Sequence, residues 1–361
     1  MTGSVFSADS HVLEPPDLWT RRMQQQYREA APRVVRGRTG EFWSCPPLPR
    51  VNVTQLGSAG IASEEQLTFA RGGYAVCRPG GWDPVERLKD MDLDGVDAEV
   101  FYCGYGLALF AHPDPAFQQD AHRAYNDWAA EFASQAPNRL LPIASISMTE
   151  PEEDLKELNR VVGLGFKGIL VSNDPLKERR YDNAMWEPFW SAVEDYGMPV
   201  SVHILTGQEL TRLSPIPVIH AALVPTFAFK TIAEMIASGV LERHPRLKVI
   251  SVESDIGWIA DFLRRMDWNA GRPSVLYAND RLRPGDIWRR QVYATFQDDP
   301  PGILCRNFIG VDRLLWGSDY PHFNSTFPTS REAIERNLAD VPEHEARLIA
   351  GGNLRELYGL S

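Results

Sequence analysis

The chain has 361 residues, of which 43% are hydrophobic, with a formal net charge of −11 at pH 7 and a pI near 5.3. An acidic chain without a run of Lys or Arg is not suited to binding the phosphate backbone of nucleic acids. We see no apolar run that reaches the length of a membrane span and no signal-peptide core before the first predicted strand, so we expect a soluble, cytoplasmic protein.

The first predicted element is a buried strand whose apolar run ends in Asp9-Ser10-His11. Residues i and i+2 of a strand share a face, so this interpretation directs Asp9 and His11 to one point. The alternative is a strand-to-turn junction in which Asp9 and Ser10 form the turn. Residues 36–82 then contain many Gly and Pro residues without a sustained period. We interpret them as an insertion arm over the active site.

From residue 83 onward, predicted helices and strands alternate regularly. Strands are predicted at 98–102, 140–144, 166–171, 199–203, 247–253, 291–296 and 313–318, and helices at 84–94, 115–134, 151–162, 185–196, 227–241, 256–268, 303–309, 329–338 and 343–358. Strands rich in Val, Ile and Leu without strict polar alternation are typical of a parallel sheet covered by helices. Eight such units predict an α/β fold, a (β/α)8 TIM barrel forming a single domain over residues 1–361. The alternative is an open doubly wound sheet, but no G-x-G-x-x-G follows the first strand.

Six polar residues lie at four predicted strand ends, where a TIM barrel carries its chemistry. They are Asp9, His11, His203, Glu253, Asp319 and His322. One such residue is usually explained by packing or helix capping, but six at one rim favour a metal site. Imidazole and carboxylate donors suit Zn²⁺, Fe²⁺ or Mn²⁺, and six donors suffice for one or two ions. The four scattered cysteines lack C-x-x-C spacing, and we expect them to be reduced packing residues.

The residues around these positions resemble the amidohydrolase-2 family of metal-dependent TIM-barrel decarboxylases and hydrolases. The resemblance rests on Asp9-Ser10-His11, the strand 199–203, the run 242–258 and the segment 316–322. It implies Asp9, His11, His203 and Asp319 as metal ligands. The sequence departs from the family pattern twice. Asp9 stands where many members have the first His of H-x-H, and Glu253 stands where decarboxylating members usually have an acid/base His.

The branch with Glu253 and a late Asp-Tyr-Pro-His is similar to TIM-barrel non-haem diiron monooxygenases, many of which are expected to act on coenzyme A-linked substrates. This resemblance implies an oxidoreductase with two Fe ions that hydroxylates a small molecule, such as an acyl-CoA, with O₂. Glu253 and His322 would then be both metal ligands and catalytic residues. The alternative is a mononuclear hydrolase or decarboxylase with one Zn or Mn, acting on a carboxylated small molecule. A homo-oligomer is compatible with the sequence, which does not define the oligomeric state.

Several residues near the predicted site have two interpretations each. Glu14 either accepts a hydrogen bond that fixes the tautomer of a ligand histidine or simply precedes the Pro15-Pro16 turn. His220 either contacts substrate or is an exposed loop residue. In the arm, Arg50, Arg71 and Arg78 either bind phosphates of a large acyl carrier or are scattered surface cations.

Overall fold

A computed structural model of the chain describes residues 3–62, 65–207, 214–272, 275, 277 and 282–360. Its strands are β1 (Phe6–His11), β2 (Arg33–Gly37), β3 (Gly40–Ser44), β4 (Val51–Asn52), β5 (Ala98–Tyr102), β6 (Leu140–Ser145), β7 (Gly168–Ser172), β8 (Val200–His203), β9 (Val249–Val252), β10 (Val292–Phe296) and β11 (Leu314–Trp316). Eight of them form a parallel sheet in the order β1-β5-β6-β7-β8-β9-β10-β11. Strands that are consecutive in this sheet and separated by helices define a TIM barrel, so the predicted fold is confirmed.

The barrel closes between the end of β1 and the segment that follows β11. The amide of Asp319 donates to the carbonyl of Asp9 at 2.8 Å, and the amide of His11 donates to the carbonyl of Tyr320 at 2.5 Å. The amide of Ser318 adds a hydrogen bond to Ser7 Oγ at 3.0 Å. The closing hydrogen bonds therefore involve the backbone of predicted site residues.

The α-helices surround the barrel. They are α1 (Leu18–Arg22), α2 (Gln66–Phe69), α3 (Pro84–Asp94), α4 (Pro115–Ala133), α5 (Pro151–Gly163), α6 (Glu187–Tyr196), α7 (Pro217–Leu223), α8 (Thr226–Ala237), α9 (Val240–Arg243), α10 (Ile259–Ala270), α11 (Pro284–Gln291), α12 (Pro300–Leu304), α13 (Arg306–Ile309), α14 (Ser330–Asn337), α15 (Glu343–Arg347) and α16 (Asn353–Tyr358). Aspartates cap α3 and α4: the Asp83 and Asp114 carboxylates each accept two amides of the first turn, and a proline follows each.

Two predicted helices are interrupted, each at a glycine. The predicted helix 227–241 is divided into α8 and α9 at Gly239, whose φ of 83° is the left-handed conformation that glycine tolerates. The predicted helix 343–358 is divided by a π-type turn, Leu348–Gly352. A Cβ atom on Gly351 would lie 3.1 Å from the carbonyl of Ser4 and 3.2 Å from the amide of Phe6. Close packing against the start of β1 therefore replaces the continuous helix.

The insertion contains a three-stranded antiparallel sheet, β2-β3-β4, which begins at Arg33. Trp43 on β3 is fully buried, and its ring stacks on that of Tyr105 with centroids 5.3 Å apart. The hydroxyl of Tyr74 donates to the carbonyl of Glu14 at 2.6 Å. The insertion is thus packed against the segments that follow β1 and β5.

One apolar segment is an exception to the expectation that no run reaches the length of a membrane span. Pro217–Ala237 is, by length and composition alone, apolar enough to cross a membrane, with a mean hydropathy of 1.3. In the fold it forms two helices, α7 and α8, and α8 packs against β8 and β9 through buried residues such as Ile232 and Ile236. This packing is that of a barrel helix. The cytoplasmic location stays a prediction.

Candidate metal centre

The structure brings all six predicted site residues together at the C-terminal rim of the barrel. Ligand atoms of His11, Glu253, Asp319 and His322 lie within 4.8 Å of one another, as do those of Asp9, His11 and His203. His11 and His203 are fully buried, and Asp9, Asp319 and His322 are no more than 8% exposed. The Glu253 side chain is 24% exposed and is the most accessible member.

The distances between these atoms fit donors that share a cation. His11 Nε2 lies 3.5 Å from both Asp9 Oδ1 and Asp319 Oδ1, and His203 Nε2 lies 3.6 Å from Asp9 Oδ1. None of these four atoms has a hydrogen-bond partner among the described residues, although all are buried. Two donors about 2.1 Å from one tetrahedral ion would be about 3.4 Å apart. The cluster therefore has the spacing of a metal-binding site rather than that of a hydrogen-bond network.

Backbone carbonyls orient the two central imidazoles. His11 Nδ1 lies 2.9 Å from the carbonyl of Cys103, and His203 Nδ1 lies 2.8 Å from the carbonyl of Ile204. A carbonyl only accepts hydrogen bonds, so each Nδ1 carries a proton, and each Nε2 is the ring nitrogen that faces the cluster. Sequence reasoning missed this role of Cys103, because a backbone carbonyl leaves no mark in residue identity.

Burial and neighbouring groups shift the pKa values of the cluster residues in different directions. Burial raises the pKa of Asp319 to about 7, with His11 opposing the shift and Asp9 reinforcing it. Burial also acts to raise the pKa of Asp9, but the nearby imidazoles of His11 and His203 hold it well below its usual range. Burial and the neighbouring His11 lower the pKa of His322 to about 3. Carboxylate and imidazole groups together are the donor set that Zn²⁺, Mn²⁺ and Fe²⁺ accept.

Two of the six residues have strained backbones. Glu253 and Asp319 have φ values of 55° and 60°, in the left-handed region that non-glycine residues seldom adopt. The amide of Glu253 donates to Thr295 Oγ1 at 2.9 Å, and this hydroxyl lies 3.4 Å from Asp9 Oδ2. Thr295, near the end of β10, therefore links two site residues. Sequence reasoning missed it, although its place near a strand end was a usable signal.

His322 contacts two other members of the cluster, His11 and Asp319. Its ring stacks on that of His11, with centroids 4.1 Å apart. Its Nδ1 lies 2.8 Å from Asp319 Oδ1 but is not aligned for a hydrogen bond, since both Asp319 oxygens lack a hydrogen-bond partner in the described part of the chain. His322 is thus placed either to bind a cation with Asp319 or to orient that carboxylate.

Glu14 contacts no ligand imidazole. Its fully buried carboxylate accepts the backbone amides of Gly104, Tyr105 and Gly106 at 2.9, 3.0 and 3.0 Å. Burial raises the pKa of Glu14, while these three amides oppose the shift. Glu14 therefore fixes the turn after β5, next to the carbonyl of Cys103 that orients His11.

Of the insertion arginines Arg50, Arg71 and Arg78, one is paired with a carboxylate and two are exposed. Arg78 makes two hydrogen bonds to the carboxylate of Asp90, at 2.9 and 2.5 Å. Arg50 and Arg71 are exposed. His220 lies in α7 rather than in a loop, and it is not part of the metal-ligand clusters.

Curated proteins similar to this chain are decarboxylases. A gamma-resorcylate decarboxylase of a Rhizobium species is 29% identical over 297 residues, covering 76% of this chain and 86% of that protein. A 2-amino-3-carboxymuconate-6-semialdehyde decarboxylase of Dictyostelium discoideum is 26% identical over 291 residues, covering 77% of each.

Solved structures similar to this chain have the same fold. An amidohydrolase of Mycobacterium avium subsp. paratuberculosis superposes with a TM-score of 0.80 at 21% identity, covering 100% of this chain and 99% of that one. A dihydroxybenzoic acid decarboxylase of a Polaromonas species, solved with manganese and the inhibitor 2-nitroresorcinol, superposes with a TM-score of 0.70 at 19% identity, covering 99% and 98%.

These relatives overturn the expected diiron monooxygenase. The prediction of an oxidoreductase that uses two Fe ions and O₂ to hydroxylate a coenzyme A-linked substrate is wrong, because the curated relatives that align over three quarters of the chain are decarboxylases. The prediction gave too much weight to Asp9 and Glu253 as departures from the decarboxylase pattern. A carboxylate can replace an imidazole both as a ligand and as an acid/base group. The amidohydrolase family model matches residues 23–360, nearly the whole chain, and the chain belongs to the amidohydrolase family.

Proposed function

We propose that the protein is a metal-dependent, non-redox decarboxylase that acts on a small carboxylated aromatic compound with one bound divalent cation, Mn²⁺ or Zn²⁺. The observation that carries the proposal is the convergence of buried, unpartnered donor atoms of Asp9, His11, His203 and Asp319. The decarboxylase relatives and the manganese in the Polaromonas structure support it. These four residues are the proposed ligands.

The bound cation would act as a Lewis acid that polarises substrate oxygen atoms and orients the carboxylated ring. Two of the proposed ligands, Asp9 and Asp319, line a cavity of about 150 Å³ that is also lined by Glu253, Asp255 and Gln297. This small space beside the cluster is the proposed location of the reacting carbon.

Glu253 is the proposed acid/base residue. Its Oε2 lies 3.4 Å from His203 Nε2 and 3.7 Å from His11 Nε2, and its side chain is more exposed than those of the proposed ligands. In the reaction, the carbon–carbon bond to the carboxylate breaks and CO₂ leaves without the bonding electrons. The ring carbon keeps that electron pair and takes a proton from Oε2 of the protonated Glu253 carboxyl group, which then regains a proton from solvent. No electrons are gained or lost, so no oxidant is required.

His322 and the insertion complete the proposal. His322 holds the Asp319 carboxylate in place or adds a further donor to the cation, as its 2.8 Å approach to Asp319 permits. Residues 1–361 act as one catalytic domain. Residues 36–82 act as the arm over the active site, anchored by the hydrogen bond from Tyr74 to Glu14.

Metal analysis combined with a CO₂-release assay tests the proposal. Protein purified without chelator should contain one Mn or Zn per chain and release CO₂ from a hydroxybenzoate panel without consuming O₂. Glu253→Gln should keep the metal but lower turnover by roughly 10²- to 10⁴-fold, as expected for loss of an acid/base group. His11→Ala and Asp319→Ala should lose the metal. The exposed Glu178→Gln is the matched control and should change neither quantity.

Three outcomes would contradict the proposal. The first is a wild-type protein without stoichiometric metal under these conditions. The second is turnover that depends on O₂. The third is full activity in Glu253→Gln, which would remove the proposed proton donor.

A further inference from the structure

A second cavity, separate from the one beside Glu253, lies at the same end of the barrel. It measures about 470 Å³. Its wall includes Phe110, Met148, Pro175 and Gly207, which lie in segments that follow β5, β6, β7 and β8, and Pro47–Pro49 of the insertion. We call it the β5–β8 cavity. Its volume falls within the range of about 300–1,000 Å³ that is usual for small-molecule sites.

The β5–β8 cavity begins one strand away from a proposed metal ligand. Ser172 at the end of β7 lines the cavity and pairs in register with His203 on β8. The Ser172 hydroxyl donates to the carbonyl of Thr206 at 2.6 Å, and the Thr206 hydroxyl donates to the carbonyl of His203 at 2.7 Å. Neighbouring strands are about 4.8 Å apart, so the cavity begins about one strand spacing from His203.

Apolar residues form much of the wall of the cavity, and two of its charged residues form ion pairs. Leu48, Phe110, Pro113, Met148, Pro175 and Leu176 contribute apolar surface. Asp174 lies 3.7 Å from the ammonium of Lys230, and Arg179 pairs with Glu150 at 2.8 Å.

The imidazole in the wall is also uncharged near neutral pH. His112 accepts the amide of Asp114 at 3.2 Å and stacks on Phe117 with ring centroids 4.1 Å apart. Burial lowers the pKa of His112. The apolar residues of the wall therefore suit an uncharged alkyl or aryl group.

We propose that the β5–β8 cavity is a second subsite of the same active site, which holds an uncharged alkyl or aryl substituent of a carboxylated aromatic substrate. The inference rests on the proposed function, because the carboxylate end of this substrate lies at the metal centre. The natural substrate is then longer than a simple hydroxybenzoate. The insertion contributes to substrate selection through Pro47–Pro49.

A chain-length series measures the subsite directly. The probes are benzoate and its 4-methyl, 4-ethyl, 4-butyl and 4-hexyl derivatives, titrated calorimetrically into manganese-loaded protein. Burying each methylene should tighten binding by about threefold to fourfold until the cavity is filled. Met148→Phe and Leu48→Trp place bulk in the cavity. Each should reduce the gain per methylene to less than about 1.5-fold while leaving the affinity for benzoate unchanged. The exposed Leu304→Trp is the control and should keep the full gain.

The outcomes separate this inference from the proposed function. Affinity that does not depend on chain length in the wild type, or a gain that persists in both filling variants, overturns the subsite. Benzoate binding that is the same in metal-loaded, metal-free and Asp319→Ala protein overturns the proposed metal-centred function, whatever the chain-length gain. Absence of binding by every probe to the metal-loaded protein overturns both.

Discussion

Replacing Arg87 with Met should be among the most destabilising single changes in the molecule. Arg87 is fully buried on α3, and its Nε donates to Glu99 Oε1 at 2.5 Å. Its Nη1 donates to the carbonyl of His11 at 2.8 Å, and its guanidinium carbon lies 4.3 Å from the ring centroid of Tyr320. One side chain therefore connects β5, the end of β1 and the segment after β11.

The expected loss of stability follows from the unpaired Glu99 carboxylate that the substitution leaves in the core. Glu99 is only 2% exposed, and removing its partner leaves an uncompensated buried carboxylate, which costs about 3–5 kcal/mol. The lost hydrogen bond to the carbonyl of His11 costs about 1 kcal/mol more. The two terms share a side chain and are not strictly additive, so we expect a total of about 4 kcal/mol. Arg87→Met combined with Glu99→Gln should recover about 2 kcal/mol, because the stranded charge is gone.

Urea unfolding followed by tryptophan fluorescence measures these changes as differences in the free energy of unfolding. Lys89→Met is the matched control on the same helix, since its 2.7 Å pair with Glu86 is exposed and its loss should leave the stability nearly unchanged. A loss below about 1.5 kcal/mol in Arg87→Met, or no recovery in the double variant, would refute the reasoning about a stranded buried charge.

Three further predictions concern backbone clearance, pH and metal. A Cβ atom on Gly317 would lie 2.4 Å from Asp9 Cβ. Gly317→Ala should therefore displace Asp9 and weaken Mn²⁺ binding by about 10- to 100-fold in a metal titration. Gly163→Ala is the control and should not weaken binding, because a Cβ atom there meets no atom within 4 Å. Burial lowers the pKa of His122 to about 3. The unfolded chain therefore takes up that proton first, and stability should fall by about 1.4 kcal/mol per unit as the pH drops from about 6.5 toward 3. His122→Leu should remove this component from pH-dependent urea unfolding, and the exposed His344→Leu should keep it. Removal of the metal by a chelator should lower the Tm. Addition of Mn²⁺ at 100 times its Kd should restore about 2.7 kcal/mol of the free energy of unfolding. A Tm that is insensitive to both treatments would contradict a metal site in the folded state.

The sequence alone was sufficient to predict the barrel fold and the convergence of the six site residues at one rim. Strand β5 was predicted with both of its observed ends, because Gly95 ends the preceding helix and an apolar run follows it. The cluster was predictable because parallel strands place their C-terminal ends at one rim, whatever the separation in sequence. Residue type and strand position thus carried the prediction of His203 and Asp319 without any knowledge of side-chain packing.

Other features depend on contacts that a sequence does not display. The hydrogen bond from His11 to the carbonyl of Cys103 and that from Arg87 to the carbonyl of His11 join residues that are 92 and 76 positions apart. Every residue has a backbone carbonyl, so the sequence does not show which carbonyls accept these hydrogen bonds. The role of Glu253 stays a prediction, because a carboxylate beside two imidazoles is equally suited to bind a metal or to carry a proton. The sequence alone does not separate these two roles.

The way the barrel closes explains how its strained site residues are held. The two backbone hydrogen bonds from Asp319 to Asp9 and from His11 to Tyr320 close the ring and also fix the backbone of three proposed ligands. The left-handed conformation of Asp319 thus lies in the segment whose backbone hydrogen bonds close the barrel. Metal binding then needs little further ordering of these residues, which favours affinity and geometric selectivity. Changes that loosen closure, such as Arg87→Met, should consequently weaken metal binding even though Arg87 donates no atom to the cluster.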